Sequence, residues 1–179
     1  DIQRSVKLKI FTSGGPLAQS LRVFSATSSV RMSAAFVHQQ NMVATVVVSS
    51  TTTGDLRWLD STGATLVRKI NGTDKGYQVA TGDLNGDYND EVAVVDQAGP
   101  TVRLYAADGT LLYKVRPRGT FYHGGWQVAM GDIHGDGKGE MLLLPKSDRV
   151  DPVVSVLNSA GKRTSTIRLT VLKTNTQLL

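Results

Sequence analysis

Apolar residues alternate with polar ones, or come in short runs, along most of the chain. The clearest stretches are VATVVVSS (43–50), EVAVVD (91–96), TVRLYAAD (101–108), EMLLLP (140–145) and PVVSVLN (152–158). Most are rich in β-branched or aromatic residues, and they are bounded by Gly, Asp, Asn, Ser or Pro, which predicts strands. SVRMSAAFVHQQ (29–40) is ambiguous, and its serines and β-branched residues weigh against a helix. The pattern predicts an all-β chain.

The stretches also recur. GDLNGDYNDE (82–91) returns as GDIHGDGKGE (131–140), so that Asp83 and Asp132 lie 49 residues apart. Each copy is preceded by the same motif, GYQVATGD (76–83) and GWQVAMGD (125–132). A further motif reads LRVFSATS (21–28), LRWLDSTG (56–63), VRLYAADG (102–109) and VSVLNSAG (154–161). A unit of this length holds about four strands. In sequence order they are the strand after the acidic loop, the V-R-L-Y strand, a strand such as LLYKVR (111–116), and the Q-V-A strand leading into the next loop.

A single four-stranded sheet cannot bury both faces, whereas sheets stacked around an axis can. The expected fold is a β-propeller-like array of about 3.5–4 units of ~49 residues, treated as one domain over residues 1–179. A degenerate first unit would span about 1–55, the loop-bearing repeats about 56–161, and C-terminal strands 162–179. In the first unit AAFVHQQNMVA (34–44) stands in the place of an acidic loop and has no carboxylate. A small ring, a fragment of a larger ring and an open array completed by another chain all fit this count. IRLTVLKTNTQLL (167–179) reads as a strand that could be an unpaired edge.

The acidic loops carry the chemistry. Calcium is a hard cation that takes six to eight oxygen ligands. In a tight loop, side chains at positions 1, 3 and 5, the carbonyl at 7 and a carboxylate at 9 can converge on one point. In the first loop these are Asp83, Asn85, Asp87, Asn89 through its carbonyl, and Glu91; in the second they are Asp132, His134, Asp136, Lys138 through its carbonyl, and Glu140. Two calcium ions are expected. His134 puts imidazole where an oxygen belongs, and Tyr88 stands where the second loop has Gly137. If that position needs a positive φ, tyrosine is strained there by roughly 1 kcal/mol.

The stretches VATGDLNGDYNDEVAVVD and VAMGDIHGDGKGEMLLLP resemble the FG-GAP repeat of integrin α-subunits and the related VCBS-type repeats of bacterial secreted proteins. The resemblance is carried by Asp83, Asn85, Gly86 and Asp87, and by Asp132, Gly135, Asp136 and Gly137; it departs at Tyr88 and His134, and in closing on Glu91 and Glu140. It implies a calcium-binding β-propeller in an extracellular or cell-surface setting, and it implies no catalytic activity. A non-enzymatic module for protein or matrix interaction, or for surface assembly, is the expected function. The alternatives are a lectin and the non-catalytic part of a secreted polysaccharide-degrading enzyme.

Composition changes this picture little. The net charge is +5, but the basic residues are scattered and not interleaved with aromatics, so no nucleic-acid partner is expected. No apolar run is long enough for a membrane helix. The first ten residues lack the apolar core of a signal peptide, and with no cysteine in the chain disulfides are excluded. Trp58, Tyr122 and Trp126 could stack on a sugar ring if exposed; as core residues they would simply pack. Asp55 and Asp60 flank Trp58, NGT (71–73) matches a glycosylation acceptor, and the three histidines, His38, His123 and His134, form no catalytic pairing.

Overall fold

The computed structural model describes residues 6–11, 14–24, 30–37, 42–50, 55–59, 65–69, 77–147 and 150–169. Among them there is no helix. Strands β1 (Val6–Phe11) and β2 (Leu17–Phe24) form a two-stranded ribbon. Strands β3 (Val30–Val37), β4 (Met42–Ser50), β5 (Asp55–Leu59) and β6 (Thr65–Lys69) form a four-stranded sheet. The next is built from β7 (Tyr77–Gly82), β8 (Glu91–Asp96), β9 (Val102–Tyr105) and β10 (Leu111–Val115). The last comprises β11 (Trp126–Gly131), β12 (Glu140–Pro145), β13 (Val153–Leu157) and β14 (Arg163–Arg168). Among the described residues every pairing is antiparallel between chain neighbours, and each sheet is open with two edge strands.

The ambiguous stretch at 29–40 is strand β3, paired with β4 from Val30 opposite Ser50 onward. Alternating β-branched and small residues satisfy a pleat better than a helical face. The repeating unit, by contrast, is divided one strand earlier than its sequence order suggests. The Q-V-A strand β7 pairs with β8 along its whole length, from Tyr77 opposite Asp96 to Gly82 opposite Glu91. Each acidic loop therefore joins the first two strands of one sheet and does not lead from one sheet into the next. A repeat has no intrinsic phase, and the short loop lets its flanking strands pair as a hairpin. The segments 170–179, 71–73, His38 and Asp60 lie outside the described residues.

The sheet β7–β10 is the shared layer. Alternation along β8 sends Val92 and Val94 to one side and Ala93 and Val95 to the other. Val92 and Val94 pack with Leu56, Trp58, Tyr77 and Tyr105. Ala93 and Val95 pack with Trp126, Met141, Leu143 and Leu157 of the following sheet. All six residues of β8 are buried. The first strands lie side by side, with β7 touching β3 on one hand and β11 on the other. Arg103 is buried against Asp96 at 2.7 Å and lies over the Tyr77 ring, so its charge is paired where a lone cation would be costly.

Candidate metal centre

Residues 83–90 connect β7 to β8, and residues 132–139 connect β11 to β12. The first residue of each loop organises it. Asp83 Oδ1 accepts the N–H groups of Asn85, Gly86 and Asp87 at 3.2, 2.7 and 3.3 Å, and Oδ2 accepts that of Tyr88 at 2.7 Å. Asp132 repeats the pattern with His134, Gly135, Asp136 and Gly137 at 3.2, 2.6, 3.2 and 2.8 Å. These N–H groups favour the ionised form and hold the Asp132 carboxyl below its ordinary range, Gly137 foremost.

The fifth position braces the next turn, with Asp87 Oδ1 accepting Asn89 N–H at 2.8 Å and Asp136 Oδ1 accepting Lys138 N–H at 2.9 Å. The closing glutamates are used identically. Glu91 Oε2 accepts Leu84 N–H at 2.8 Å, and Glu140 Oε2 accepts Ile133 N–H at 3.1 Å. The other oxygen meets the third residue, as Asn85 Nδ2 donates to Glu91 Oε1 at 2.9 Å and His134 Nδ1 meets Glu140 Oε1 at 2.8 Å. The two loops thus share one hydrogen-bond plan.

The plan demands left-handed backbone. Gly86 and Gly135 have φ of 83° and 72°. Gly137 has φ 82°, and Tyr88, its counterpart, is the one non-glycine with positive φ among the described residues, at 65°. The strain anticipated for Tyr88 is therefore present, and its side chain is exposed.

The first loop suits a hard cation. Its side chains offer the oxygens of Asp83, Asn85, Asp87 and Glu91. The Glu91 carboxyl is pushed up from 4.5 to about 7, mostly by burial, with Leu84 N–H lowering it and the charges of Asp87, Asp83 and Asp90 raising it. Crowded carboxylates of this kind are what a divalent ion neutralises. The Asn85 amide nitrogen faces Asp87 and Glu91 and bridges them in the manner of a small donor. The second loop fits less well. His134 occupies Glu140 with a ring nitrogen, a poor partner for calcium, and that bond with the neighbouring carboxylate charge raises the imidazole's pKa. Among the described residues no three His, Asp or Glu side chains converge as a ready cage; the expected donor set also counts Asn85 and the carbonyls of Asn89 and Lys138.

Two residues that the motif reading passed over tie the loops to the body. Leu84 is buried in the core between the last two sheets. Its signal is an apolar second position in both loops, Leu84 and Ile133. Gly139 N–H donates to the Asp83 carbonyl at 2.7 Å, so the second loop is docked on the first. A Cβ at Gly139 would sit 2.7 Å from that oxygen, which explains the glycine.

The three aromatics proposed as sugar platforms are buried, which corrects that expectation. Trp58 packs edge-on to Tyr105 at 5.3 Å, and Trp126 is tilted against Tyr122 at 4.8 Å. Trp126 Nε1 donates to the Pro100 carbonyl and Tyr122 Oη to that of Gly125, so both polar tips are spent on backbone.

No curated protein matches the sequence. Residues 83–143, which run from the first acidic loop through the second and into β12, are identified as an FG-GAP-like repeat.

Proposed function

We propose that this chain is a non-enzymatic, calcium-stabilised module of the extracellular space, with its sheets arranged as propeller blades, that mediates protein or matrix interaction or surface assembly. The observation that carries the reading is the duplicated loop plan, in which Asp83 and Asp132 organise the backbone while a buried glutamate closes each loop. Asp83, Asn85, Asp87 and Glu91, with the Asn89 carbonyl, would hold the first ion. Asp132, Asp136 and Glu140, with the Lys138 carbonyl, would hold a second, weaker one once His134 releases Glu140. A bound calcium supplies positive charge that lets the clustered carboxylates remain ionised together.

The chain's own part is positional. Glu91 and Glu140 are the first residues of β8 and β12, so fixing the loop fixes where each second strand begins. Because Asp83 accepts Gly139 N–H, an ordered first loop also braces the second. A weak site of this type suits the near-millimolar calcium outside cells. The lectin alternative loses its support with the burial of Trp58, Tyr122 and Trp126.

The test is isothermal titration with calcium, beside thermal unfolding in calcium and in chelator. Calcium should bind in the micromolar to millimolar range and raise the melting temperature, with magnesium less effective. Asp87→Asn should weaken the tighter site. A folded protein that gives neither heat nor thermal shift at several millimolar calcium would sink the reading.

A further inference from the structure

The basic residues are scattered along the chain, but the sheet β7–β10 gathers some of them at one end. Tyr113 and Val115 turn inwards from β10 and pack against the core. Alternation then sends Lys114 outwards, and Arg116 follows two residues on; both are exposed. The chain turns back at once, with Pro117 presetting the turn and Gly119 N–H donating to the Arg116 carbonyl at 2.9 Å. The result is a cleft of about 370 Å³ lined by Thr101, Lys114, Val115, Arg116, Gly119 and Thr120.

The cleft is positive because no neighbouring charge cancels it. Between Asp108 and Asp132 the sequence carries Lys114, Arg116 and Arg118 and no carboxylate. The acidic loop of the same sheet lies at the sheet's other end, beyond the pair Gly82–Glu91. Thr101 and Arg116 lie just past the pair Val102–Val115, at the end where Gln78 meets Val95. Strands of this length separate the two ends by about 15–20 Å, roughly two screening lengths at physiological salt. Asp96 is the sheet's carboxylate at the cleft end. Its oxygens are taken by Arg103 at 2.7 Å and by the Thr101 N–H at 3.2 Å. Arg118 reaches away to the Asp151 carbonyl at 3.4 Å. Among the described residues neither Lys114 nor Arg116 forms an ion pair.

We propose that this cleft binds an acidic polysaccharide, with a sugar-borne carboxylate or sulfate seated between Lys114 and Arg116. A guanidinium beside an ammonium grips such an oxyanion through charge-assisted hydrogen bonds. The lining is polar or charged apart from Val115, which suits a hydroxyl-rich chain better than a peptide anchored by an apolar side chain. Recognition by charge needs no stacking platform, so the burial of Trp58, Tyr122 and Trp126 does not oppose it. The choice of polysaccharide rests on the matrix interaction proposed above, whereas the cleft itself is separate from the acidic loops.

The experiment is calorimetric titration of the whole chain at low and at physiological salt. Heparin serves as the sulfated probe and hyaluronate as the carboxylated one, with dextran and poly-glutamate for comparison. Heparin or hyaluronate should bind, more weakly at the higher salt, and dextran should not. Lys114→Ala with Arg116→Ala should lower the affinity about tenfold or more, and both side chains are exposed, so the fold should tolerate the change. Lys162→Ala with Arg163→Ala removes the same charge from the opposite end of the neighbouring sheet, where Arg163 faces Leu157, and should leave the affinity unchanged. Calcium titration of the Lys114–Arg116 variant should match the wild type, so failure of the cleft and failure of the metal reading are told apart. Four outcomes would each overturn the proposal: no binding to either acidic polysaccharide; equal weakening by the two substituted pairs; affinity kept by the folded Lys114–Arg116 variant; or poly-glutamate bound as tightly as the polysaccharides.

Discussion

Gly125 shows how tightly one residue can be specified. Its φ is 76°, and a Cβ built there would lie 1.9 Å from the Gln97 carbonyl oxygen. The carbonyl of Gly125 also accepts both Tyr122 Oη and Lys146 N–H. Neither the backbone nor the partner can yield, because the Gln97 turn is held by Asp96 and Trp126. Gly125→Ala is expected to lower stability by about 3 kcal/mol or more, through left-handed strain and overpacking together. A urea denaturation series measures it, and a loss below about 1 kcal/mol would show that the turn has slack. Glu91 supplies the second prediction at this scale. Its carboxyl is pushed up from 4.5 to about 7, so the metal-free folded chain holds a proton that the unfolded chain has lost between those values. The contribution of Glu91 to stability in chelator should be fully present below about 4.5 and be lost, by roughly 1–3 kcal/mol, as pH rises through 7. His134 works in the same direction, its raised pKa giving stability below 6.5 that is lost above it, whereas Asp132, held low, gives stability that is lost only in more acidic solution. Glu91→Gln should flatten the Glu91 part of the slope in chelator; a slope unchanged by the substitution would contradict the assignment.

At the scale of the element, the two acidic loops form a natural experiment. They share every backbone bond that Asp83 and Asp132 organise, and they differ at the third position, Asn85 against His134. His134→Asn should give the second loop the oxygen donor it lacks and free Glu140 from the imidazole. Calorimetry should then show the weaker calcium site tightened by about tenfold, with the first site unchanged; two sites with unaltered affinities would mean that His134 is not what weakens the second loop. The loops were also the most legible part of the sequence. Asp83 at the first position, glycine at the fourth and a carboxylate at the ninth dictate the turn through local hydrogen bonds, and the strain at Tyr88 could be anticipated from Gly137 alone. What escaped the sequence depends on distant partners. The phase of the repeat is set by β7 pairing with β8, which no spacing encodes. The burial of Trp126 depends on a carbonyl at Pro100, 26 residues away. The docking of Gly139 on Asp83 joins two loops that the motif reading treats as separate. Local chemistry could be read from the residues, and non-local packing could not.

For the whole molecule, the arrangement of cores predicts where stability resides. Strand β8 lies between β7 and β9 within its sheet and between two apolar cores across it. Opening it exposes both cores at once, so its amides should exchange only through the largest unfolding event. Among the described residues strand β14 has one hydrogen-bonded neighbour, and none of its own side chains is buried, so it can peel away at little cost in apolar surface. Hydrogen exchange followed by mass spectrometry, at about 1 micromolar to limit contact between copies, should find peptides across 91–96 protected at least about a hundredfold more than those across 163–168. Calcium should slow exchange at 83–91 most, because the loop bonds that Asp83 and Glu91 make would open less often. Its effect should reach 132–140 through Gly139 and fade towards β14. If β14 proved as protected as β8 in dilute solution, the last sheet would be covered within a single copy, and the ranking argued from its exposed face would fail.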